Sequence, residues 1–497
     1  MTLLDPTSIA DPCREETAPS PYAWFVVAIL WFVAMLNYLD RLMITTMRDP
    51  IRADISITDA QFGLLTSVFL WVYAFVSPFG GYVADRFTRR GVIAGSLLFW
   101  SAATFLTGFA QTFHQLLWAR ALMGISEACY LPAALALICD YHRGSTRSFA
   151  TGLHMSGLSV GAALGGIGGY LAEHIGWRAG FERLGIAGFA YGLVVLFTLR
   201  DASAAGALAG GFCSRGEVSA GEGAGGTEEI ASSSPTVLRA AQTMVCDELE
   251  NSLEGGRPRP PFSSGQRRTR TSALQKIPKL DADPATPAQG ALSWLLAKPA
   301  FQILFLVNIL IGMSNWTMYT WMPTYLREHF RLGLGAAGLS ATGYVQAASF
   351  AGVFIFGFSA DRWSRTNRRA RSLTPAWSYL IAGPCLFAAA STHSLPLAIA
   401  GLIVFGLARG AFDANHMPVL RGIATDRYSA TAFGIVNMIS CVAGGVMVYI
   451  GGALSDAHVS LARIFQVCGV ALAIVGLLLM TIGQGSGKDK LRCQRGI

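Results

Sequence analysis

Six ionisable residues lie inside otherwise apolar stretches of this 497-residue chain: Asp40, Arg41, Arg120, Glu127, Arg409 and Asp413. A charge at mid-membrane costs about 2.5–3.5 kcal/mol on insertion scales, so all six would cost roughly 15–20 kcal/mol if unpaired and facing lipid. They must face a protein interior or an aqueous cavity. Arg120 and Glu127 are seven residues apart. They share a helical face but sit roughly 10 Å apart along the axis, too far for an easy direct pair. Asp40 and Arg41 are adjacent, about 100° apart around a helix, and cannot face each other. The expectation is that Asp40 or Glu127 pairs with Arg120 across two helices, and that a proton or an anionic ligand competes for that pairing. The alternative is an ion pair that only holds helices together, with Arg41 snorkelling. Arg409 and Asp413 stand at i, i+4 and can neutralise each other. His416, one turn further, is either a proton relay or a hydrogen-bonded packing residue.

A second set of residues could line a cavity. Asn308, Gly312, Asn315 and Tyr319 fall on one helical stripe, with Trp316 and Trp321 nearby. Amides and aromatic rings on such a wall suit hydroxyl-rich or amphipathic ligands, by hydrogen bonding and stacking. The tryptophans could instead sit at lipid. His154 and Gln346 are weaker candidates of the same kind.

The elements that must hold these residues are membrane spans. The chain is 52% hydrophobic and 14% charged, with a mean hydropathy of +0.44, against about 25% charged in a soluble domain. About 20 mainly apolar residues make a spanning helix. Six such segments fall near 22–46, 61–84, 91–111, 115–139, 148–172 and 182–199. Six more fall near 299–325, 338–360, 372–391, 396–420, 430–453 and 461–483. The fold class expected is an all-α membrane protein of twelve transmembrane helices in two pseudo-symmetric six-helix bundles, 22–199 and 299–483. A cytoplasmic N-terminal tail (1–21), a cytoplasmic and disordered linker (200–298, rich in Gly, Ser, Pro and charge) and a basic cytoplasmic tail (484–497) complete the domains. Residues 1–21 do not read as a signal peptide. Within the linker, a short amphipathic helix at 235–253 and lipid contact by Arg267–Arg270 are weaker readings than a solvated connection.

Internal repeats support the duplication. Gly81, Asp85, Arg86, Arg89 and Arg90 lie in the turn Gly81-Tyr82-Val83-Ala84-Asp85-Arg86-Phe87-Thr88-Arg89-Arg90. Gly357, Asp361, Arg362 and Arg365 recur in Gly357-Phe358-Ser359-Ala360-Asp361-Arg362-Trp363-Ser364-Arg365. Gly124, Glu127, Pro132 and Asp140 likewise match Gly410, Asp413, Pro418 and Asp426, each 286 positions on. Arg120 has no charged equivalent, since Gly406 holds the aligned position. The loops on the side of the termini carry most of the arginines, so both termini and the linker are expected in the cytoplasm, in a plasma or inner membrane. A carboxylate is favoured beside a helix N-terminus, so Asp85 could clasp the start of the eleventh span, near Ala430–Gly434.

The two Gly-x-x-x-Asp-Arg turns, the six-plus-six spans and the long linker resemble the major facilitator superfamily, over both halves but not the linker or tails. That resemblance implies two bundles rocking around a central site to give alternating access, with the turns as a gating motif that latches the cytoplasmic side. Within it, Asn37-Tyr38-Leu39-Asp40-Arg41 and Arg120-Ala121-Leu122-Met123-Gly124-Ile125-Ser126-Glu127-Ala128 resemble both the anion:cation symporter family and spinster-type transporters. The resemblance implies proton coupling at Asp40 and Glu127 and an anionic substrate at Arg120. The fifth span has Gly157, Gly161, Gly165, Gly166 and Gly169 but no Gly-Pro, which departs from the drug/proton antiporter motif.

The resulting expectation is a secondary transporter moving a small organic anion, a sugar acid or carboxylate, with protons. A spinster-type lysolipid or sphingolipid transporter is the alternative. Sodium is not excluded as the coupling ion. The substrate-binding set is Arg120, Arg41, Asn315 and Tyr319, and the C-terminal candidates are Arg409, Asp413 and His416. No enzymatic activity, cofactor, metal site or nucleic-acid partner is expected, and a monomer in the lipid bilayer is. The formal net charge of +8 reflects basic loops between spans. H-E-x-x-H and G-x-x-x-x-G-K-[ST] do not occur, and no nucleophile elbow is expected.

Overall fold

The computed structural model describes residues 20–142, 146–201, 293 and 295–482. Of the side chains within its helices, those of Asp85, Ser148 and residues 425–430 are not described. The readings on the linker, its candidate helix and both tails lie outside the described residues. All regular structure among the described residues is helical. Eleven spans are long and apolar enough to cross a membrane, and one bent pair completes a twelfth.

The N-terminal half contains α1 (Pro21–Met43), a 3-10 turn (Ile44–Thr46), α2 (Arg48–Asp54), α3 (Asp59–Arg86), α4 (Arg89–Thr107), α5 (Phe113–Tyr141), α6 (Arg147–Leu164), α7 (Ile167–Ile175) and α8 (Trp177–Thr198). The C-terminal half contains α9 (Pro299–Phe330), α10 (Leu334–Ser364), α11 (Ala370–Ser391), α12 (Leu395–Asp456) and α13 (Leu461–Thr481). Helix starts follow local chemistry. Thr58 with Gln61, and Thr112 with Gln115, form reciprocal capping boxes at α3 and α5.

α12 carries two spans, Leu395–Ala424 and Thr431–Asp456. The 35 residues from Arg409 to Gly444 would extend about 50 Å as straight helix. Yet the Arg409 guanidinium lies 5.2 Å from the Tyr319 ring centre, while Gly444 packs on Trp316, one turn away. The element therefore folds back between its two spans, as the sequence requires. The fifth expected span is instead broken into α6 and α7, with a 42° bend. The break lies at Gly165-Gly166, where a β-carbon on Gly166 would come within 2.6 Å of the Gly338 carbonyl oxygen on α10. Only glycine permits that approach between the halves. α8 also starts at Trp177, five residues earlier than expected. Trp177 donates to Asp54 at 3.1 Å, tying this end to α2.

The duplication is visible in packing. A β-carbon on Gly124 would lie 2.9 Å from the Phe69 carbonyl oxygen on α3, and one on Gly410 would lie 2.2 Å from that of Ser349 on α10. Each half thus uses the same glycine to seat its fourth span on its second.

The helix ends near residues 20, 201, 298 and 482 define a linker side, and residues 44–59, 331–333 and 457–460 the far side. Among the described residues, the cross-half hydrogen bonds and ion pairs cluster on the far side. Arg48 bonds Asp59 on its own half and Glu328 across the interface at 2.8 Å. Arg327 pairs with Asp49. Deeper in, Ser67 donates to the Gly445 carbonyl at 2.6 Å and Trp71 to that of Val442 at 3.1 Å. On the linker side, a β-carbon on Gly81, Gly422 or Gly434 would meet no atom of the described residues within 4 Å. Among the described residues, the two halves are joined at the far side.

Candidate functional site

α1 sends its two charges in different directions. Arg41 points to α5, where its Nη2 and Nε donate to Glu127 Oε2 at 2.8 and 3.2 Å. It also lies 4.6 Å from the Tyr38 ring centre and 4.7 Å from those of Phe69 and Tyr73. The cation thus sits among three aromatic faces, an arrangement worth up to about 2 kcal/mol when desolvated. Asp40 points to α4, where Oδ2 accepts a hydrogen bond from Thr104. Its Oδ1 is buried without a hydrogen-bond partner.

The pairing expected for Arg120 is corrected here. Glu127 pairs with Arg41, and Arg120 makes no ion pair among the described residues. Arg120 is 1% exposed. Its Nη1 sits 3.6 Å from the Met123 sulfur, while Nε and Nη2 have no partner. Asp40 and Glu127 act on it electrostatically. The reason is rotational: Arg41, not Asp40, faces α5 at the level of Glu127, and Arg120 lies two turns away on that helix. Arg41 does not snorkel, being 6% exposed. Structure thus brings Asp40, Arg41, Arg120 and Glu127 into one buried cluster but exchanges the partners.

The C-terminal wall is looser. Arg409 Nε lies 3.7 Å from Asp413 Oδ2, and the Asp413 side chain is 48% exposed. Arg409 faces Tyr319, so Asp413, one turn on, is exposed towards the space between the halves rather than towards lipid. Tyr319 is buried and accepts a hydrogen bond from Gln346 at 2.5 Å. Trp316 and Tyr319 belong to the same apolar cluster as Phe69 and Tyr73, so aromatic rings of both halves meet on the axis.

Other candidates fall elsewhere. His416 stacks on Phe412 at 4.7 Å and lies 5.9 Å from Phe433, as a packing residue does. His154 is buried near Tyr130, away from the charges. Asn308 bonds its own helix, at the Leu304 carbonyl, and Gly312 seats Ser440. Asn315 is half-buried and makes no side-chain hydrogen bond among the described residues.

Of the turn residues, Arg89 pairs with Asp140 and Arg90 donates to the Leu196 carbonyl, each within its own bundle. Asp361 pairs with Arg371 at 3.1 Å, while Arg86, Arg362 and Arg365 are exposed. Among the described residues, a β-carbon on Gly357 would meet only Ala414, at 3.5 Å. The latch expected of the Asp85 side chain lies outside the described residues. The Gly-x-Ser-x-Gly spacing of a nucleophile elbow does occur, at Gly157–Gly161, contrary to expectation. It lies inside α6 rather than at a strand-to-helix turn, so it builds no elbow.

Sequence reasoning missed Thr104 and the far-side residues Arg48, Asp59, Glu328 and Asp456. A lone threonine in an apolar span carries no signal, and charges beside loops are ordinary.

Residues 30–375 and 304–490 match the family described as Major Facilitator Superfamily. The chain belongs to that superfamily and is a transporter of its twelve-helix class. It is 24% identical over 464 residues, covering 92% of both chains, to the "Probable sulfoacetate transporter SauU" of Cupriavidus necator. It is 36% identical over 157 residues to the protein spinster of Drosophila melanogaster, a match spanning 31% of this chain and 26% of that one. A solved bacterial homologue of the human lysosomal transporter spinster, in an inward-facing and occupied conformation, shares the fold. Its TM-score is 0.64 at 20% identity, over 94% of this chain and 96% of that one.

Proposed function

We propose that this protein is a proton-coupled symporter of a small organic anion. The observation that carries the reading is Arg120: a buried guanidinium with two donor atoms unfilled among the described residues. An unpartnered buried charge costs several kcal/mol, and an anionic substrate would supply the missing acceptors. Asp40, with one unpaired oxygen, and Glu127 are the proton sites; protonating Glu127 releases Arg41 to the substrate. The full-length likeness to a sulfoacetate transporter agrees with an anionic cargo. The arginine-rich loops favour a cytoplasmic linker side, and the far-side contacts between the halves then fit an inward-facing state. The protein acts as a monomer in the plasma or inner membrane.

Purified protein in liposomes tests this, with sulfoacetate, sugar acids and short carboxylates under an imposed proton gradient. Gradient-driven uptake of at least one anion, lost in Arg120→Gln, is expected. In Glu127→Gln, concentrative uptake should vanish while substrate exchange persists. Uptake indifferent to the proton gradient would sink the coupling. The local spinster match favours a second reading, a lysolipid cargo. Lysolipid transfer with no anion uptake would establish it instead.

A further inference from the structure

The two walls of the axis each carry a guanidinium group against an aromatic face, and only one is hydrogen-bonded to an acid among the described residues. Arg41 is held by two hydrogen bonds to Glu127. Arg409 stands at the middle of its span, its side chain 18% exposed, with a single acidic contact among the described residues, at 3.7 Å. Its Nε and Nη1 are buried without a hydrogen-bond partner. Asp413, half exposed, is free to swing away when a better acceptor arrives. Duplication did not place this cation, since the position 286 residues earlier is Met123. The ring beneath it, Tyr319, is fixed by Gln346 and belongs to the cluster that reaches Phe69 and Tyr73 beside Arg41.

We propose that Arg409 is a second anion-binding residue, and that the substrate is a dianion whose two acidic groups are taken one by each wall. The inference rests on the anion-transport reading above. A second charge-assisted contact adds about 1.5–3 kcal/mol, or roughly 10- to 100-fold in affinity. The test is binding and competition of uptake by matched pairs in the reconstituted protein: succinate against propionate, and sulfoacetate against acetate. In the wild type, the dianion should bind at least about tenfold tighter. Arg409→Gln should abolish that ratio and Arg409→Lys should keep part of it. Equal binding of dianion and monoanion by the wild type would overturn the inference without any variant, as would an Arg409→Gln ratio unchanged from wild type. If monoanions are carried but the ratio is one, only this inference falls. If no anion is bound or carried, the anion reading falls with it.

The far side carries an independent inference. Asp456 ends α12, and its two carboxylate oxygens accept the backbone N–H groups of Asp59 and Ala60 at 2.8 Å each. A residue of one half thus caps a helix of the other, where the helix dipole favours a carboxylate. Ser455 adds a bond to Asp59 at 2.7 Å. We infer that Asp456 is the far-side latch, broken each time the far side opens. It sits at the opposite end of the helix pair from the turn at Asp85. Maleimide labelling of Ser67→Cys and of Tyr82→Cys, in detergent and in a background without other cysteines, tests it. Asp456→Asn or Asp456→Ala should speed labelling at position 67 by at least about tenfold, from the loss of two charge-assisted bonds, and slow it at the exposed position 82. Unchanged rates at both positions in either folded variant would refute the latch.

Discussion

The N-terminal and C-terminal halves keep an acid at the same place on their fourth spans, Glu127 and Asp413, and treat it in opposite ways. Glu127 is 1% exposed and bonded twice by a cation from another helix. Asp413 is about half exposed and touches, at 3.7 Å, a cation of its own helix. The duplication therefore preserved the acid's position and the glycine that seats its helix, but not its partner. In the N-terminal half the charge is locked across three helices. In the C-terminal half it stays on one helix and is open to the axis. The two walls thus differ in how tightly their acids are paired: closely in the N-terminal half, loosely in the C-terminal half.

Breaking the two pairs should separate them most sharply. Arg41→Gln leaves Glu127 buried without its cation and should cost about 3–5 kcal/mol, read as a large fall in Tm in detergent. Adding Glu127→Gln should restore most of that loss, because the cost lies in the orphaned charge. Arg409→Gln should change stability by at most about 1 kcal/mol, as for a loose, half-exposed pair. Equal losses from Arg41→Gln and Arg409→Gln would erase the distinction.

The glycines test what the halves share. Alanine at Gly410 meets backbone oxygen at 2.2 Å and at Gly124 at 2.9 Å, so both should destabilise by about 1–3 kcal/mol, Gly410→Ala more. Gly406, aligned with Arg120, is equally tight, with the Val345 carbonyl oxygen 2.4 Å from a β-carbon. Gly406→Ala should cost a similar amount. That crowding leaves no room at this position for a side chain like that of Arg120.

Much of the fold was legible because crossing lipid imposes a length and a hydropathy that local sequence must satisfy. The charged cluster was legible for the same reason: Asp40, Arg41, Arg120 and Glu127 stand out against apolar neighbours. Their pairing was not. Which of two adjacent residues on α1 faces α5 depends on how the helix is rotated, and packing against α6 decides that. The break between α6 and α7 was hidden too. Five glycines in one span read as close packing, and only contact with Gly338 of the other half shows where the helix must yield. The far-side latch was invisible because its partners are 396 and 397 residues apart.

The smallest effect concerns the aromatic residues that line each wall. Tyr319 holds its hydroxyl in a hydrogen bond from Gln346, and Tyr319→Phe should lose about 1 kcal/mol. Tyr73 offers its ring to Arg41 and its hydroxyl makes no hydrogen bond among the described residues. Tyr73→Phe keeps the ring and should stay within about 0.5 kcal/mol of the wild type. Thermal unfolding of the two variants decides it. A larger loss at Tyr73 would mean that the N-terminal wall depends on a polar contact rather than on the face of the ring, and the contrast between a closed wall and an adjustable one would have to be redrawn.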